Sequence, residues 1–544
     1  MEENIIKGEK IERKIFWNVG ELTYNLLINF KNTVLQIDAA TNQELTGSIL
    51  LKRAVRLATF FKKYGIGLGD TVAIMSENRL EYCTVPVASF FVGATIAPLN
   101  PDYTVGELNH ILNFSKPKLI FATPSAASKL KQVKEKLDCV KHIILFDSNE
   151  ENDIFLSFNN IIKGSEDENA ISTFSVEKYN PKETVAAIFC SSGTTGTPKG
   201  VMITHDNITS CIEIWSHNIS RMKIDKNEDP RDVIIGITPF CHSFGFITMY
   251  FYILRGKLMI VSQKFSPTIF LDTIVKYRIR TIVAPPTLLV FLIKNPIVKQ
   301  YDLSCVKEVI AGASPLGKET EIELRERFKF RHAGQSYGMT ETTWGVISSP
   351  HQETKLGSVG RILPGMMAKI IDDKGNALGP YENGELCLKG PMIMKGYIGN
   401  EATTLNCIDE DRWLHTGDVA YYDNDKYFFI VDRTKELIKY KGFQVAPSEL
   451  EDLLLSHPAV NDAAVIGLPD EYSGELPLAF VVKKPGKDVS SDELKRLISE
   501  NLSSQKQLRG GVIFIDEIPR NHVGKTLRRV LKIEAVKRLL KHKF

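Results

Sequence analysis

The chain has 544 residues, a formal net charge of +3 and an ordinary globular composition, with 43% hydrophobic and 24% charged residues. This length exceeds what one core can serve, so several domains or subdomains are expected, and the small net charge argues against nucleic acid as a partner. The eight cysteines are scattered without a C-x-x-C pair, which argues against a zinc site or a disulfide framework and indicates a reducing compartment.

The chain ends carry no recognisable targeting segment. The first ten residues lack the apolar core of a signal peptide, and the last four lack the Ser-Lys-Leu peroxisomal address. The most apolar stretches, 83–99 and 244–254, contain proline or glycine or are stopped by an arginine, which predicts buried core elements and not membrane spans. We therefore expect a cytoplasmic protein without a transmembrane segment. Separately, we expect it to be a monomer.

Helix-like and strand-like segments alternate in the first third of the chain. Residues 48–63 place apolar side chains at helical spacing. Strand-like runs follow at 71–78, 118–123 and 141–147, separated by segments long enough for helices. Residues 148–184 are polar with few apolar residues, which predicts a long surface connection. This rhythm favours an α/β fold.

The stretch from Val185 to Gly200, VAAIFCSSGTTGTPKG, joins an apolar run to hydroxyl, glycine and lysine residues. The run predicts a buried strand, and the glycines after it let backbone N–H groups approach an anion closely. A Walker A loop would need Ser or Thr after the lysine, so a different phosphate-binding loop is predicted. Its donors are Ser191, Ser192, Gly193, Thr194, Thr195, Gly196 and Lys199.

Beyond this loop, apolar strands again end in Gly, Pro or Ser, at 232–240, 281–287 and 307–315. Ligands in open α/β sheets bind beyond the carboxyl ends of strands, so several of these ends are expected to converge on one site. Residues 355–390 contain short strand-like runs separated by turns, which predicts a small β subdomain. From Thr434 the chain alternates helix-like and strand-like segments again, which predicts a separate α+β domain. We predict a large N-terminal domain of stacked α/β sheets (1–432), with a small β subdomain at about 355–432, and a smaller mobile α+β C-terminal domain (433–544).

The loop SSGTTGTPKG is similar to the signature loop of the adenylate-forming superfamily, which contains acyl- and aryl-CoA ligases, amino-acid adenylation domains and beetle luciferases. Further motifs follow in family order between about residues 15 and 535. Together they resemble most closely the luciferase-like acyl-CoA ligases of insects. The resemblance implies ATP, Mg²⁺ and coenzyme A as cofactors.

The segment QSYGMTETT (335–343) resembles the adenine and magnesium motif of that superfamily and includes Gln335 and Gly338. The resemblance implies that Tyr337 offers a flat face to adenine. It also implies that Thr340 donates to the α-phosphate and that Glu341 binds Mg²⁺, for which a carboxylate oxygen is suited.

Two further residues match the family's ribose contacts. Asp418 in WLHTGD supplies an acceptor-only carboxylate, which suits two hydroxyl groups, and Arg433 stands beside the predicted interdomain hinge. Alone, Asp418 would be typical of a turn and Arg433 of a surface ion pair, but the order of the motifs favours ribose binding. Gly312, Ala313 and Ser314 match the loop beside the adenine and the acyl chain.

The acyl end of the site is predicted from aromatic and small residues. His242 in PFCHSFG matches the family's histidine near the reacting carboxylate, although a histidine in an apolar run is by itself typical of a core residue. Trp344 beside Gly345, with Phe244 and Phe246, predicts an aromatic-lined substrate pocket. Such a pocket favours a fatty or aryl acid over acetate.

Lys525 in GKTLRR matches the lysine that reaches the carboxylate and the α-phosphate during adenylation. A second segment of the C-terminal domain, which in this family faces the site during thioester formation, carries Lys439, Lys441, Gly442 and Gln444. The resemblance therefore implies a small domain that rotates between two half-reactions. The basic residues after Lys525 are predicted to form a solvated helix face.

These motifs predict an ATP-dependent ligase that makes an acyl adenylate and then an acyl-CoA thioester, with a role in fatty acid metabolism. A carrier-protein-loading domain of a peptide synthetase is a weak alternative. Two stronger alternatives stay open: a luciferase, which oxidises its adenylate with O₂ and emits light, and a non-catalytic family member. Cys211 stands where spacing aligns the luciferin-pocket arginine, and Trp344 replaces a small residue, which argues against the first. Lys199, Glu341 and Lys525 are all present, which argues against the second.

Overall fold

The computed structural model describes residues 4–14, 17–149, 151–163, 171–191, 198–220, 233–314, 316–328, 330, 332–350, 354–433, 436–440, 443–470, 472–521 and 524–541. Helices and strands alternate through these ranges, which confirms the predicted α/β fold. The helices of the described part are α1 (Val19–Asn29), α2 (Gly47–Lys63), α3 (Thr84–Phe91), α4 (Val105–Ser115), α5 (Ala127–Lys134), α6 (Phe158–Ile162), α7 (His205–Ser220), α8 (Ser243–Leu254), α9 (Pro267–Tyr277), α10 (Pro286–Lys294), α11 (Lys318–Phe328), α12 (Glu401–Leu405), α13 (Pro447–Ser456), α14 (Ser491–Asn501) and α15 (Arg528–Lys541).

The strands of the same ranges are β1 (Ile6–Lys7), β2 (Val34–Asp38), β3 (Glu44–Thr46), β4 (Thr71–Met75), β5 (Thr95–Leu99), β6 (Pro117–Ala122), β7 (His142–Leu145), β8 (Phe155–Ser157), β9 (Val185–Ser191), β10 (Lys199–Thr204), β11 (Val233–Gly236), β12 (Leu258–Val261), β13 (Thr281–Ala284), β14 (Glu308–Ala311), β15 (His332–Gly338), β16 (Gly345–Ser348), β17 (Arg361–Ile362), β18 (Met367–Ile371), β19 (Gly384–Lys389), β20 (Gly396–Tyr397), β21 (Leu414–Tyr422), β22 (Phe428–Arg433), β23 (Ile438–Tyr440), β24 (Phe443–Val445), β25 (Val460–Asp470), β26 (Gly474–Lys483) and β27 (Gly511–Phe514).

These strands form five sheets. Three belong to the α/β part, in the orders β20-β10-β9-β5-β4-β6-β7-β8, β11-β12-β2-β3 and β13-β14-β15-β16-β17. A small β sheet has the order β1-β18-β19-β21-β22, and the C-terminal sheet has the order β24-β23-β26-β25 with β27 parallel to β26. A larger and a smaller domain are therefore present.

Helix α2 shows how the sequence pattern builds the core. The Thr46 hydroxyl caps its first turn by accepting from the Ile49 N–H. Leu50, Leu57 and Phe61 are fully buried on one face, and each such burial stabilises the fold by about 2 kcal/mol. The helix predicted at 48–63 is confirmed.

Strand β4 explains why its sequence is apolar without alternation. Val72 and Ile74 face the main core, whereas Ala73 and Met75 face a second core beneath α4 and α5. Both faces of the strand are covered, because it pairs in parallel with β5 and β6 inside a sheet that carries helices on each side.

The predicted surface connection at 148–184 is partly wrong in its described residues. Strand β8 pairs in parallel with β7 and extends the largest sheet. Phe158 is fully buried, with its ring centroid 4.8 Å from that of Phe146. The Tyr179 hydroxyl donates to the Phe90 carbonyl over 2.7 Å. The segment has few apolar residues, but Phe158 among them is fully buried in the core. The average polarity of the segment therefore did not reveal that part of it packs into the fold.

The predicted β subdomain contributes β18, β19, β21 and β22 to the small β sheet, which also recruits β1 from the N-terminus. Strand β22 ends at Arg433, and the next described strand, β23, lies in the C-terminal sheet. That sheet has a core on each face, since the adjacent residues Val465 and Ile466 of β25 point into different clusters. The boundary at 432 stays a prediction. Within the described ranges, every helix is too short or too polar to cross a bilayer.

Candidate active site

A cavity of about 2370 Å³ opens where strands of three sheets end and the C-terminal domain approaches them. Its position agrees with the expectation that several carboxyl strand ends converge. The predicted site residues that line it are Ser191, Lys199, His242, Phe244, Gly312, Ala313, Gly338, Thr340, Glu341, Trp344, Gly345, Arg433 and Lys525.

Part of the predicted site lies outside the described residues, namely Ser192, Gly193, Thr194, Thr195, Gly196, Lys441, Gly442 and the side chain of Gln444. The strands that flank the phosphate loop are described. Strand β9 ends at Ser191 and β10 begins at Lys199, and these two residues are antiparallel partners. The predicted loop therefore joins neighbouring strands at the cavity wall.

Glu341 connects the phosphate-loop strands to the segment 335–343. Its carboxylate is buried, and Oε1 accepts from the Ser191 hydroxyl and from the Tyr397 hydroxyl, each over 2.9 Å. Burial and the charge of Glu341 raise the pKa of Tyr397, so the phenol remains a donor. The Lys199 ammonium lies 5.1 Å from the centre of the Tyr397 ring. Tyr397 had not been predicted as a site residue.

The surroundings of Glu341 suit a hard cation. Mg²⁺ prefers oxygen ligands and usually takes one or two carboxylates together with substrate phosphates. Glu341 offers one carboxylate at the cavity wall, and the Thr340 hydroxyl beside it lies 3.5 Å from that of Ser243. The residues present therefore fit a magnesium ion that is held largely by nucleotide phosphates.

Buried Asp418 and the half-buried residues Tyr337 and Arg433 form a polar group beside the cavity, and of the three Arg433 lines it. The Tyr337 hydroxyl donates to Asp418 Oδ2 over 2.6 Å, and Arg433 Nε lies 3.3 Å from Oδ1. Burial raises the pKa of Asp418, while the charge of Arg433 opposes that shift. Oδ2 accepts one hydrogen bond and Oδ1 is ion-paired with Arg433, and a carboxylate has further lone pairs that can accept from ligand hydroxyls.

The turn that carries Asp418 is fixed by strand β19. Glu385 Oε1 accepts from the Gly417 N–H over 3.0 Å, and its Oε2 lies 3.0 Å from His415 Nδ1. The Thr416 hydroxyl donates to the Leu386 carbonyl and accepts from the Asp418 N–H. These bonds hold Asp418 at a set position relative to Arg433 on the neighbouring strand β22.

Lys525 reaches the cavity from the C-terminal domain. Its Nζ lies 4.0 Å from Glu436, and burial together with the nearby charge of Arg433 lowers its pKa. Asn521 Oδ1 accepts from the Lys525 N–H over 2.8 Å and holds the turn. Lys439 is exposed and lies outside the cavity lining, with its N–H bonded to Glu475. The structure therefore presents the Lys525 face to the cavity.

The predicted acyl wall is only partly correct. Phe244 faces the loop after β14, since a Cβ built on Gly312 would lie 3.4 Å from its ring. Trp344 lines the cavity and packs against Trp215, with centroids 4.7 Å apart. Phe246 is wrong as a pocket residue: it is fully buried and stacks on Tyr250 in the core, with centroids 5.2 Å apart.

Four predicted nucleotide-site residues of the described part lie outside the cavity lining, namely Ser314, Gln335, Tyr337 and Asp418, although the last two contact Arg433 or each other beside it. The buried Gln335 amide accepts from the Leu316 N–H and donates to the Leu316 carbonyl. It also donates to Glu321 at 3.3 Å. The predicted contact of Gln335 with a cofactor is therefore corrected to a structural role, which is to hold the loop that follows β14.

Gly338 is expected to be essential for the shape of the site. A Cβ at this position would lie 2.3 Å from the Trp344 carbonyl oxygen, which is backbone and cannot rotate away. We expect Gly338→Ala to lower the kcat/KM of adenylation by roughly tenfold or more, since displacement of about 1 Å can cost that much. The rate of pyrophosphate release from ATP and the acid measures this kcat/KM. Gly106→Ala on α4, where only a side-chain atom lies within 4 Å, is the control. Equal rates for both variants would contradict the expectation.

A family model described as the AMP-binding enzyme matches residues 29–398, and one described as its C-terminal domain matches residues 449–525. The chain belongs to the family of AMP-binding, adenylate-forming enzymes. The resemblance seen in the motifs is thereby confirmed.

Individual relatives fall on two branches of the family. The chain is 41% identical over 497 residues to luciferin 4-monooxygenase of Photuris pensylvanica, covering 91% of this chain and 90% of the relative. It is 35% identical over 515 residues to 4-coumarate–CoA ligase CCL1 of Humulus lupulus, covering 93% and 92%. Among solved structures, ATP-bound MatB of Rhodopseudomonas palustris is 27% identical with a TM-score of 0.83, covering 95% and 99%. The same MatB without ligand gives a TM-score of 0.74.

Proposed function

We propose that the protein activates a fatty or aryl carboxylic acid with ATP, forming an acyl adenylate and pyrophosphate, and then transfers the acyl group to coenzyme A. The observation that carries this proposal is the meeting of Thr340, Glu341 and Lys525 on one cavity, next to the Asp418–Arg433 pair. A cation, a carboxylate and hydroxyl donors around one space suit phosphoryl transfer.

In the first half-reaction, a carboxylate oxygen attacks the α-phosphorus and the bond to pyrophosphate breaks. Both reactants are anions, so the cation of Lys525 lowers the barrier. A unit charge at about 4 Å contributes around 4 kcal/mol at an effective dielectric of about 20. Lys199 would neutralise the departing pyrophosphate, and Thr340 would donate to the α-phosphate. Mg²⁺ on Glu341 would neutralise phosphate charge when bound.

The remaining residues would position the two substrates. Asp418 would accept both ribose hydroxyls, with Arg433 beside it, and Tyr337 would support the adenine end. Gly312 and Ala313 would let the backbone approach the nucleotide. His242 directly precedes helix α8 as its N-cap residue, lines the cavity and would stand near the reacting carboxylate.

The second half-reaction requires a different face of the C-terminal domain. The position of Lys525 at the cavity, with Lys439 outside it, supports a domain arrangement suited to adenylation. The greater similarity to ATP-bound MatB than to its unliganded form supports the same arrangement. Rotation would then bring Lys439, Lys441, Gly442 and Gln444 to the site for attack by the coenzyme A thiol.

Light emission is the second candidate function, because several relatives are luciferin 4-monooxygenases. Against it, Cys211 is fully buried and lies outside the cavity lining, and Trp344 occupies pocket space. Cytoplasmic location, a monomeric state and a role in fatty acid metabolism remain part of the proposal.

We expect AMP and pyrophosphate release to depend on a fatty or aryl acid, and AMP release to accelerate when coenzyme A is added. A panel of carboxylates, assayed with ATP and Mg²⁺ and with or without coenzyme A, measures both. Failure of every fatty and aromatic acid would overturn the ligase proposal. Light with ATP and a luciferin in the same assay would favour the second candidate.

A further inference from the structure

Helix α8 forms one long wall of the acyl part of the cavity. Phe244, Thr248, Phe251 and Arg255, the residue that directly follows the helix, all line it. Their spacing of four, three and four residues places them on one helical face. At about 1.5 Å per residue, Arg255 lies roughly 16 Å along the axis from Phe244.

Strands β13 and β14 form the facing wall. They present alternate residues to the cavity, which are Thr281 and Val283 on β13 and Glu308 and Ile310 on β14, followed by Gly312. Gly312 stands opposite Phe244 at the nucleotide end. The cavity therefore follows the strands back towards their amino ends, about 13 Å over four residues.

The end remote from the nucleotide is polar. Five lining residues lie towards this end by their place in the elements: Tyr252 and Arg255 at the end of α8, Arg280 and Thr281 at the start of β13, and Glu308 at the start of β14. The Thr281 hydroxyl donates to Glu308 over 3.3 Å. These five residues include two positively charged guanidinium groups and one negatively charged carboxylate, so their summed formal charge is positive. Each guanidinium has five N–H donors, so it can bond a protein acceptor and a ligand together.

Aromatic side chains connect this polar end to the predicted acyl pocket. The Arg255 guanidinium lies 4.9 Å from the centre of the Phe251 ring, and Phe251 packs against Trp344 with centroids 5.6 Å apart. Trp215, the neighbour of Trp344, donates from Nε1 to the Gly345 carbonyl over 2.8 Å. The order along the cavity is thus nucleotide, aromatic wall, then cationic end.

We propose that the preferred acid carries a second anionic group at the end remote from the reacting carboxyl group, so that an α,ω-dicarboxylic acid is preferred over the monocarboxylic acid of equal length. A second carboxylate can make bidentate, charge-assisted bonds with an arginine. A methyl end would instead desolvate the guanidinium groups without replacing their bonds to water. This inference rests on the proposed acid-activating function and names its substrate class.

The test is a matched series of monocarboxylic and α,ω-dicarboxylic acids, from medium to long chains, assayed by pyrophosphate release with the full-length protein. The wild type should give a higher kcat/KM for at least one diacid than for its matched monoacid. Arg255→Met, which keeps most of the volume and removes the charge, should lower that ratio by about tenfold or more. Arg255→Lys, which keeps the charge without the bidentate geometry, should give an intermediate ratio.

The control is Arg496→Met, the same change at a side chain that is 73% exposed on α14, and it should leave the ratio unchanged. Turnover of monoacids with no preference for any diacid would overturn this inference while leaving the proposed function standing. A diacid preference that survives Arg255→Met would overturn the assignment to Arg255. Failure of both acid series would overturn the proposed function and this inference with it.

Discussion

Replacing Lys525 by alanine is expected to slow adenylation by roughly 10²-fold or more, while thioester formation from supplied acyl adenylate continues. The C-terminal domain brings Lys525 to the cavity, where the turn at Asn521 holds it, whereas Arg520, a cation that it also contributes to the lining, is paired with Asp462. Loss of about 4 kcal/mol of charge neutralisation would correspond to nearly three powers of ten. Contributions of Lys199 and Mg²⁺ to the same charge explain why a smaller loss is expected.

Two assays separate the half-reactions: pyrophosphate release from ATP and acid, and thioester formation from acyl adenylate and coenzyme A. Lys439→Ala should give the opposite pattern, since Lys439 lies outside the cavity in this arrangement. Lys532→Ala, at a half-exposed position on α15, should spare both steps. Equal loss of both steps in Lys525→Ala would refute the alternating roles.

The pH dependence of adenylation should also report on Lys525. Burial and the charge of Arg433 lower the pKa of Lys525, so the rate of adenylation should decline as the pH rises through a value below the pKa of an ordinary lysine.

The sequence predicted correctly those helices and strands whose apolar residues are the ones that the fold buries. Helix α2 shows apolar spacing, a cap and a stop, and β4 is apolar because both of its faces are covered. The motif residues at the cavity, such as Glu341 and Lys525, were predicted from resemblance, because their convergence depends on contacts between distant segments. No local pattern could supply the 2.9 Å bond from Ser191 to Glu341.

The errors at the site also have physical reasons. Phe244 and Phe246 are two residues apart on α8, and a helix turns about 100° per residue, so the two side chains point to different sides. Helical spacing from Phe244 would have selected Thr248 and Phe251 instead. Gln335 and Tyr397 show a different limit. A motif gives residue types, but only the tertiary contacts decide that Gln335 holds a loop and that Tyr397 bonds Glu341.

The second large effect is expected at Asp418. Its two carboxylate oxygens are oriented by Tyr337 and Arg433, and its turn is fixed through Gly417 and Glu385. If these oxygens accept the two ribose hydroxyls, Asp418→Asn removes the charge behind both bonds and replaces one acceptor by a donor. Bonds to a charged group are worth about 1.5–3 kcal/mol each, so the KM for ATP should rise by roughly 10²-fold.

A nucleotide lacking one ribose hydroxyl distinguishes this role from a general loss of stability. The wild type should use 2′-deoxyATP less well than ATP, because one of the two bonds to Asp418 cannot form. In Asp418→Asn that preference should largely disappear, since the partner of the missing hydroxyl has itself lost its charge. Asp488→Asn, the same change at a side chain that is 91% exposed in the C-terminal domain, should keep both the KM and the preference. An undiminished preference for ATP in Asp418→Asn would place the ribose elsewhere, because a carboxylate that does not touch the hydroxyl cannot sense its removal.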